Sequence, residues 1–219
     1  MTPMFTKAPR RSSERVTGHG RFTEFAGDPV VVARRLLGQR LVRVVNGRRR
    51  AGLIVETEAY LGAKDRAAHT YNGRKTARNA SMYLPGGHAY VYFTYGMHHC
   101  FNVVCGFSGE GVAVLIRAIE PTEGLTMMRR RREAARSDGE LCRGPARLTH
   151  ALAIDLTLDG ENLLTSSSVF IERARRRALP AFRIVASPRV GVDYAGPWSR
   201  RLLRFFVCGN PFVSGRRNS

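Results

Sequence analysis

Between Leu53 and Tyr60 the chain reads Leu-Ile-Val-Glu-Thr-Glu-Ala-Tyr, alternating with a period of two. That period belongs to a β-strand, whose successive side chains point to opposite faces. It predicts Ile54, Glu56, Glu58 and Tyr60 on one face, with the two carboxylates about 6–7 Å apart along the backbone. Two partly buried acids at that spacing repel each other. Repulsion raises the proton affinity of one and suits it to general-base work. Spacing alone narrowly favours a plainer reading, an edge strand with ordinary surface glutamates.

The surrounding pattern extends the sheet. Asn46-Gly47 accepts positive φ and joins a strand at residues 41–45 to one at 51–60. Further strands are read at 88–94, 97–104, 112–119, 169–172, 182–186 and 203–207. Asp28-Pro29 opens a helix through about Leu37, with Asp as N-cap and Pro in the first turn. Helices are also read at 123–136, with the basic run Arg129 to Arg132, and from Gly144-Pro145 to Ala153. Residues 61–82 lack periodicity and read as a long loop with short helical pieces, the kind of segment that often carries function. The prediction is an α+β fold in which residues 21–219 form one mixed domain. Its sheet is largely antiparallel, curved and flanked by helices. A basic, polar stretch at 1–20 reads as a flexible arm.

Charge narrows the partner. The net charge is +19, a one-signed excess that is costly without an anionic partner. No amphipathic basic helix with a broad apolar face is visible, so nucleic acid is expected rather than a membrane. Only Lys7, Lys64 and Lys75 of the 36 basic residues are lysine; arginine suits bidentate phosphate contacts, although a GC-rich genome leaves the same bias. No apolar run reaches membrane-spanning length, and Lys7, Arg10, Arg11, Glu14 and Arg15 come too early for a signal peptide. An intracellular, non-secreted protein is expected. Cys100, Cys105, Cys142 and Cys208 include no Cys-x-x-Cys pair and read as reduced packing residues, with no metal or cofactor expected.

Six of the seven tyrosines fall between residues 60 and 95: Tyr60, Tyr71, Tyr83, Tyr90, Tyr92 and Tyr95. Aromatic strands usually serve a core, yet tyrosine beside glutamate, histidine and arginine also suits a base-stacking pocket. Tyr95 precedes Gly96 at an apparent hairpin tip, where a rigid ring can enter the hole left by a flipped nucleotide. His69 sits in the loop. Arg117 interrupts an apolar strand and demands an anionic partner, for which one of Glu56 and Glu58 is the natural candidate. Asn102 is similarly misplaced, and its amide must meet a partner or a ligand.

Longer motifs then come into register: Val55-Glu56-Thr57-Glu58-Ala59-Tyr60, Asp65, Ala67-Ala68-His69, Gly73-Arg74-x-Thr76-x-Arg78-Asn79 and Tyr90-Val91-Tyr92-x-x-Tyr95-Gly96-Met97. Asn102, Leu115-Ile116-Arg117-Ala118-Ile119-Glu120-Pro121, Gly144-Pro145, Arg189-Val190-Gly191-Val192 and Asn210-Pro211 follow in order. Over nearly everything after the arm, the chain resembles the alkyladenine (3-methyladenine) DNA glycosylase family. The resemblance implies a base-excision enzyme acting on damaged double-stranded DNA. With only three lysines it is expected to be monofunctional, Lys64 near Glu58 being the one candidate for lyase chemistry, and a monomer is expected. Such an enzyme flips alkylated or deaminated purines and hydrolyses the glycosidic bond with a Glu-activated water. Glu58 matches the base and Arg117 its companion. Tyr60, His69, Tyr92, Asn102 and Leu115 match the base pocket, with Asn102 discriminating against the amino group of guanine. Tyr95 and Met97 match the intercalating hairpin, and Arg74 and Thr76 lie near the DNA backbone. Ala63 and His98-His99 depart from the family pattern. Two rivals stay open at this point: a metal-dependent nuclease on Glu56, Glu58 and Asp65, and a catalytically inert nucleic-acid-binding module.

Overall fold

The computed structural model describes residues 20–94, 96–174 and 183–215. The predicted arm up to His19, the hairpin residue Tyr95 and Phe182 lie outside the described residues. Helix α1 (Pro29–Leu36) starts where the sequence places it, with the Asp28 carboxylate accepting from Val30 N at 2.6 Å and Val31 N at 3.4 Å. It buries Val32, Ala33 and Leu36 against the sheet; each large apolar side chain so buried contributes about 1.5–3 kcal/mol. Strands β1 (Arg40–Val45) and β2 (Arg48–Tyr60) meet at Asn46-Gly47, whose φ angles of 50° and 71° are those a tight hairpin needs.

The 13-residue β2 organises the sheet. Along one edge it pairs with β5 (Val112–Glu123). Along the other it pairs first with β1 and then, at Glu56, Thr57 and Glu58, with β8 (Arg204–Val207). The remaining strands are β3 (Ala89–Thr94), β4 (His98–Cys105), β6 (Val169–Glu172) and β7 (Ile184–Ser187). The order is β3-β4-β5-β2-β1-β6, with β8 attached to β2 and β7 to β8, and every pair is antiparallel. This is the α+β architecture expected: one curled antiparallel sheet with helices α2 (Leu125–Arg131), α3 (Asp138–Leu141) and α4 (Pro145–Leu152) beside it.

One face of the sheet packs on the helices. Val91, Phe101, Val103, Val114, Ile116 and Ala59 share a single core with Val32, Leu36, Met128 and Leu148. The other face carries Glu58, Tyr60, Tyr90, Tyr92, Asn102 and Leu115. Two opposed β-bulges set this division. The pairing steps from Ile54↔Ile119 to Glu56↔Ala118 and then to Thr57↔Ile116, so Val55 is the extra residue in β2 and Arg117 the extra residue in β5. Each bulge reverses the parity of its strand. Ile54 therefore packs in the core, and so do Ala59 and the Thr57 hydroxyl, which donates to Ala33 O at 3.0 Å. The expectation that Ile54 shares a face with Glu56 and Glu58 is corrected by that bulge.

The helix expected at 123–136 is also shorter. Glu123 stays in β5 because its carboxylate is held by Arg40 and Arg49, and Gly124 turns the chain at φ 75° before α2 begins. Arg132, at φ −120° and ψ 52°, ends the helix. The loop after β2 contains three short 3-10 turns, as the lack of periodicity suggested. No helix among the described residues is long and apolar enough to cross a membrane.

Candidate active site

Glu56 and Glu58 are both fully buried, and Arg117 lies between them. Arg117 Nε donates to Glu56 Oε1 at 2.9 Å, and its Nη1 stands 3.2 Å from Glu58 Oε1. The cation offsets the repulsion that period-two spacing predicted. Burial lowers the proton affinity of Arg117, but the two carboxylates outweigh it and hold the guanidinium above its usual range. The buried arginine thus finds not one anionic partner but both.

The two carboxylates are nonetheless unlike. Glu56 accepts from Arg117, from Arg204 Nε at 2.6 Å, and from Ser214 through both its N–H and its hydroxyl. Oε1 takes three of these donors and Oε2 the fourth, so Glu56 reads as a structural anchor. Glu58 accepts from the Tyr60 hydroxyl at 2.9 Å on Oε2 and from Val190 N at 2.8 Å on Oε1. Its three partners, Tyr60, Val190 and Arg117, all line a cavity of about 320 Å³ above it.

Tyr60, His69, Tyr90, Tyr92, Cys100, Asn102 and Leu115 also line that cavity, so every predicted pocket residue converges there. The His69 and Tyr92 rings meet edge to face, 4.6 Å between centroids, and His69 Nδ1 bonds the Tyr90 hydroxyl at 2.7 Å. Burial, then Arg78 and Arg74, push the His69 pKa down to about 4, so the ring is neutral at physiological pH. Burial, followed by Glu58, keeps Tyr60 protonated; burial, followed by Cys100, does the same for Tyr92. Arg117 is then the one charged group among the described residues of the lining, with Glu58 directly beneath. Asn102 faces Tyr90 across the β3–β4 ladder and its Nδ2 donates to Tyr90 O at 3.0 Å.

The loop is fastened over this face by a buried ion pair. Arg189 grips both oxygens of Asp65 at 2.6 and 2.8 Å, and Asp65 also accepts from Leu61 N and Ala67 N. The Arg189 guanidinium then lies 4.7 Å from the centre of the Tyr60 ring, backing that cavity wall. Asp65 and Glu56 are each committed to arginines, and among the described residues no three His, Cys, Asp or Glu side chains form a metal-ligand set. The nuclease rival loses its triad on this geometry.

Arg74 and Thr76 are exposed in the loop, lining a second cleft that shares Ala67, His69 and Tyr194 with the cavity. Met97 stands 69% exposed at the β3–β4 turn. Tyr95 lies outside the described residues. Sequence reasoning missed Val190 N, Ser214 and the wall residues Cys100 and Val192. Cys100 was legible in principle, since it alternates with Asn102 in β4. A backbone donor such as Val190 N has no sequence signal. Among the described residues no lysine lines the cavity, and Lys64 is exposed.

Residues 23–211 match the sequence model of a family described as methylpurine-DNA glycosylase. A Homo sapiens protein named DNA-3-methyladenine glycosylase is 44% identical over 227 residues, covering 97% of this chain and 75% of its own length. Proteins named putative 3-methyladenine DNA glycosylase are similar at 41% in Natranaerobius thermophilus, covering 87% of this chain and 96% of theirs. In Burkholderia cenocepacia the figure is 51%, covering 76% and 78%.

Proposed function

The chain belongs to the methylpurine-DNA glycosylase family, and from that premise we propose that it is a monofunctional DNA repair glycosylase acting on alkylated or deaminated purines. The observation that carries the reading is Glu58: a fully buried carboxylate, held by Arg117, under an aromatic cavity on a protein of charge +19. The target nucleotide is flipped from the duplex into the cavity between Tyr60, His69 and Tyr92. Met97, and Tyr95 two positions earlier in the sequence, occupy the gap in the stack, while Arg74 and Thr76 meet the backbone. Glu58 takes a proton from a water molecule, and the water oxygen bonds to C1′ of the sugar. The C1′–N bond breaks and its electron pair leaves with the purine. A cationic alkylated purine departs neutral, and a neutral one departs as its anion and takes a proton from solvent water. The carboxylate also stabilises positive charge developing on the sugar. The product is an abasic site on an unbroken strand.

Water is the assigned nucleophile because the described residues lining the cavity include no amine that could form a Schiff base. The test is incubation with duplexes carrying hypoxanthine, ethenoadenine or methylated purines, with detection of free base, and borohydride added in parallel. Released base without a trapped protein–DNA adduct supports the reading. Lesion binding without release makes the chain an inert binding module, and a trapped adduct replaces hydrolysis by lyase chemistry.

A further inference from the structure

The segment after β8 returns to the back of the site and ends beyond the residues that match the family. Arg143 fastens it, donating to Val213 O at 2.8 Å and Gly215 O at 3.1 Å. Ser214, between them, is only 6% exposed. Its N–H donates to Glu56 Oε2 at 2.6 Å, its hydroxyl donates to Glu56 Oε1 at 2.9 Å, and its carbonyl accepts from Arg204 Nη2 at 2.8 Å. The hydroxyl oxygen also accepts from Arg117 Nη2 at 3.2 Å. One serine thus meets the anchoring carboxylate and the arginine that reaches Glu58.

We propose that Ser214 is a positioning residue for base excision, acting through Arg117. The inference rests on the glycosylase reading above. A guanidinium carries five N–H donors in a planar fork and favours two parallel bonds to one carboxylate. With Glu56 and Glu58 on either side, Arg117 has two such partners to turn towards. Ser214 removes that freedom. Glu56 occupies Nε, Ser214 occupies Nη2, and Nη1 alone is left for Glu58. Glu58 then gives Arg117 one oxygen and keeps the other, Oε2, on the Tyr60 side of the cavity. Without the serine oxygen, Arg117 Nη2 is a buried donor lacking an acceptor, and rotation onto Glu58 is the nearest remedy. Such a fork occupies the oxygen that must receive the water's proton.

Ser214→Ala deletes the hydroxyl and keeps both backbone contacts, so the tail stays fastened. On a hypoxanthine duplex under single-turnover conditions, the excision rate constant is expected to fall about tenfold or more, as small misplacements of reacting groups do. Lesion-duplex Kd should stay within about threefold, because the cavity walls are untouched. In an Arg117→Gln background the same substitution should cost nothing further, since the group it acts through is gone. A rate constant unchanged in Ser214→Ala, with only the reaction amplitude or melting temperature lowered, reduces Ser214 to packing and overturns the assignment. So does a full additional loss in Arg117→Gln. If the wild-type chain releases no base, the glycosylase reading falls and this assignment falls with it.

Discussion

The Tyr60 hydroxyl donates to Glu58 Oε2 at 2.9 Å, from two residues along the same strand. Both side chains lie on the cavity face because β2 has already passed its bulge at Val55. Cavity wall and proposed base are thus delivered by one stretch of backbone, and Arg189 behind the Tyr60 ring holds the pair still.

Glu58→Gln is expected to lower base release by about 10²–10⁴-fold, the range of general-base catalysis, with lesion-duplex binding retained. The amide keeps the shape and loses the basicity. Single-turnover excision and a binding isotherm on the same duplex decide it, and near wild-type release would remove Glu58 from the role.

Glu56→Gln should instead lose stability. Arg117 and Arg204 both rely on this carboxylate in a buried setting, and stripping the anion from such a cluster costs about 3–5 kcal/mol. Urea unfolding measures it. A loss below about 1 kcal/mol would mean water reaches the cluster and Glu56 is no anchor.

His69 makes a pH prediction. Its pKa of about 4 lies below that of an exposed histidine, so in the acid range the unfolded chain binds a proton that the folded chain refuses. Stability tied to His69 is complete above about pH 6.5 and is lost as pH falls through about 4. Chemical denaturation from pH 7.5 to 4.5 should show a shallower decline in His69→Gln than in the wild type. Parallel curves would place the burden on other groups.

Asn102→Ala is expected to relax discrimination. The buried amide is pinned to Tyr90 O in the cavity wall, and the proposed gate sets it against the exocyclic amino group that distinguishes guanine from hypoxanthine. Guanine release from a G·T duplex should rise about tenfold or more while hypoxanthine excision continues. A folded variant that rejects guanine as before would show that the gate lies elsewhere.

Affinity for undamaged duplex should fall steeply with salt, since a charge of +19 implies several phosphate contacts and counterion release. A flat plot of log Kd against log salt between 50 and 200 mM would disconnect the charge from DNA.

Much of this was legible because the signals were local. Asp28-Pro29 and Asn46-Gly47 act within a few residues, and the structure uses both as caps and turns usually are used. Arg117 and Asn102 stood out as polar residues in apolar strands and Tyr60 and Tyr92 in an aromatic run, while the resemblance added His69, Leu115 and the role of Glu58. All but Glu58 line one cavity, and Glu58 lies bonded to Tyr60 beneath it. What stayed hidden depends on pairing. The face of Ile54 could not be foreseen because a bulge is a property of two strands, not one. The inequality of Glu56 and Glu58 was hidden for the same reason: Arg204 and Ser214 reach Glu56 from more than 140 residues away. The late start of α2 reflects Glu123 being drawn to Arg40 and Arg49 across the sheet.

The two bulges also say how this site tolerates change. A strand has only two sides, so the sidedness of Glu58 is a matter of odd or even residue number, with no graded intermediate. Replacing Val55 by another apolar residue leaves the count intact. Deleting it moves Glu56 one place along and exchanges the faces of every residue on one side of the gap, setting carboxylates against the helices or Ile54 against the cavity. The same holds for an insertion beside Arg117. For this protein, then, length at two positions is held more tightly than chemistry, and engineering that respects the register there has the wider freedom in side-chain choice.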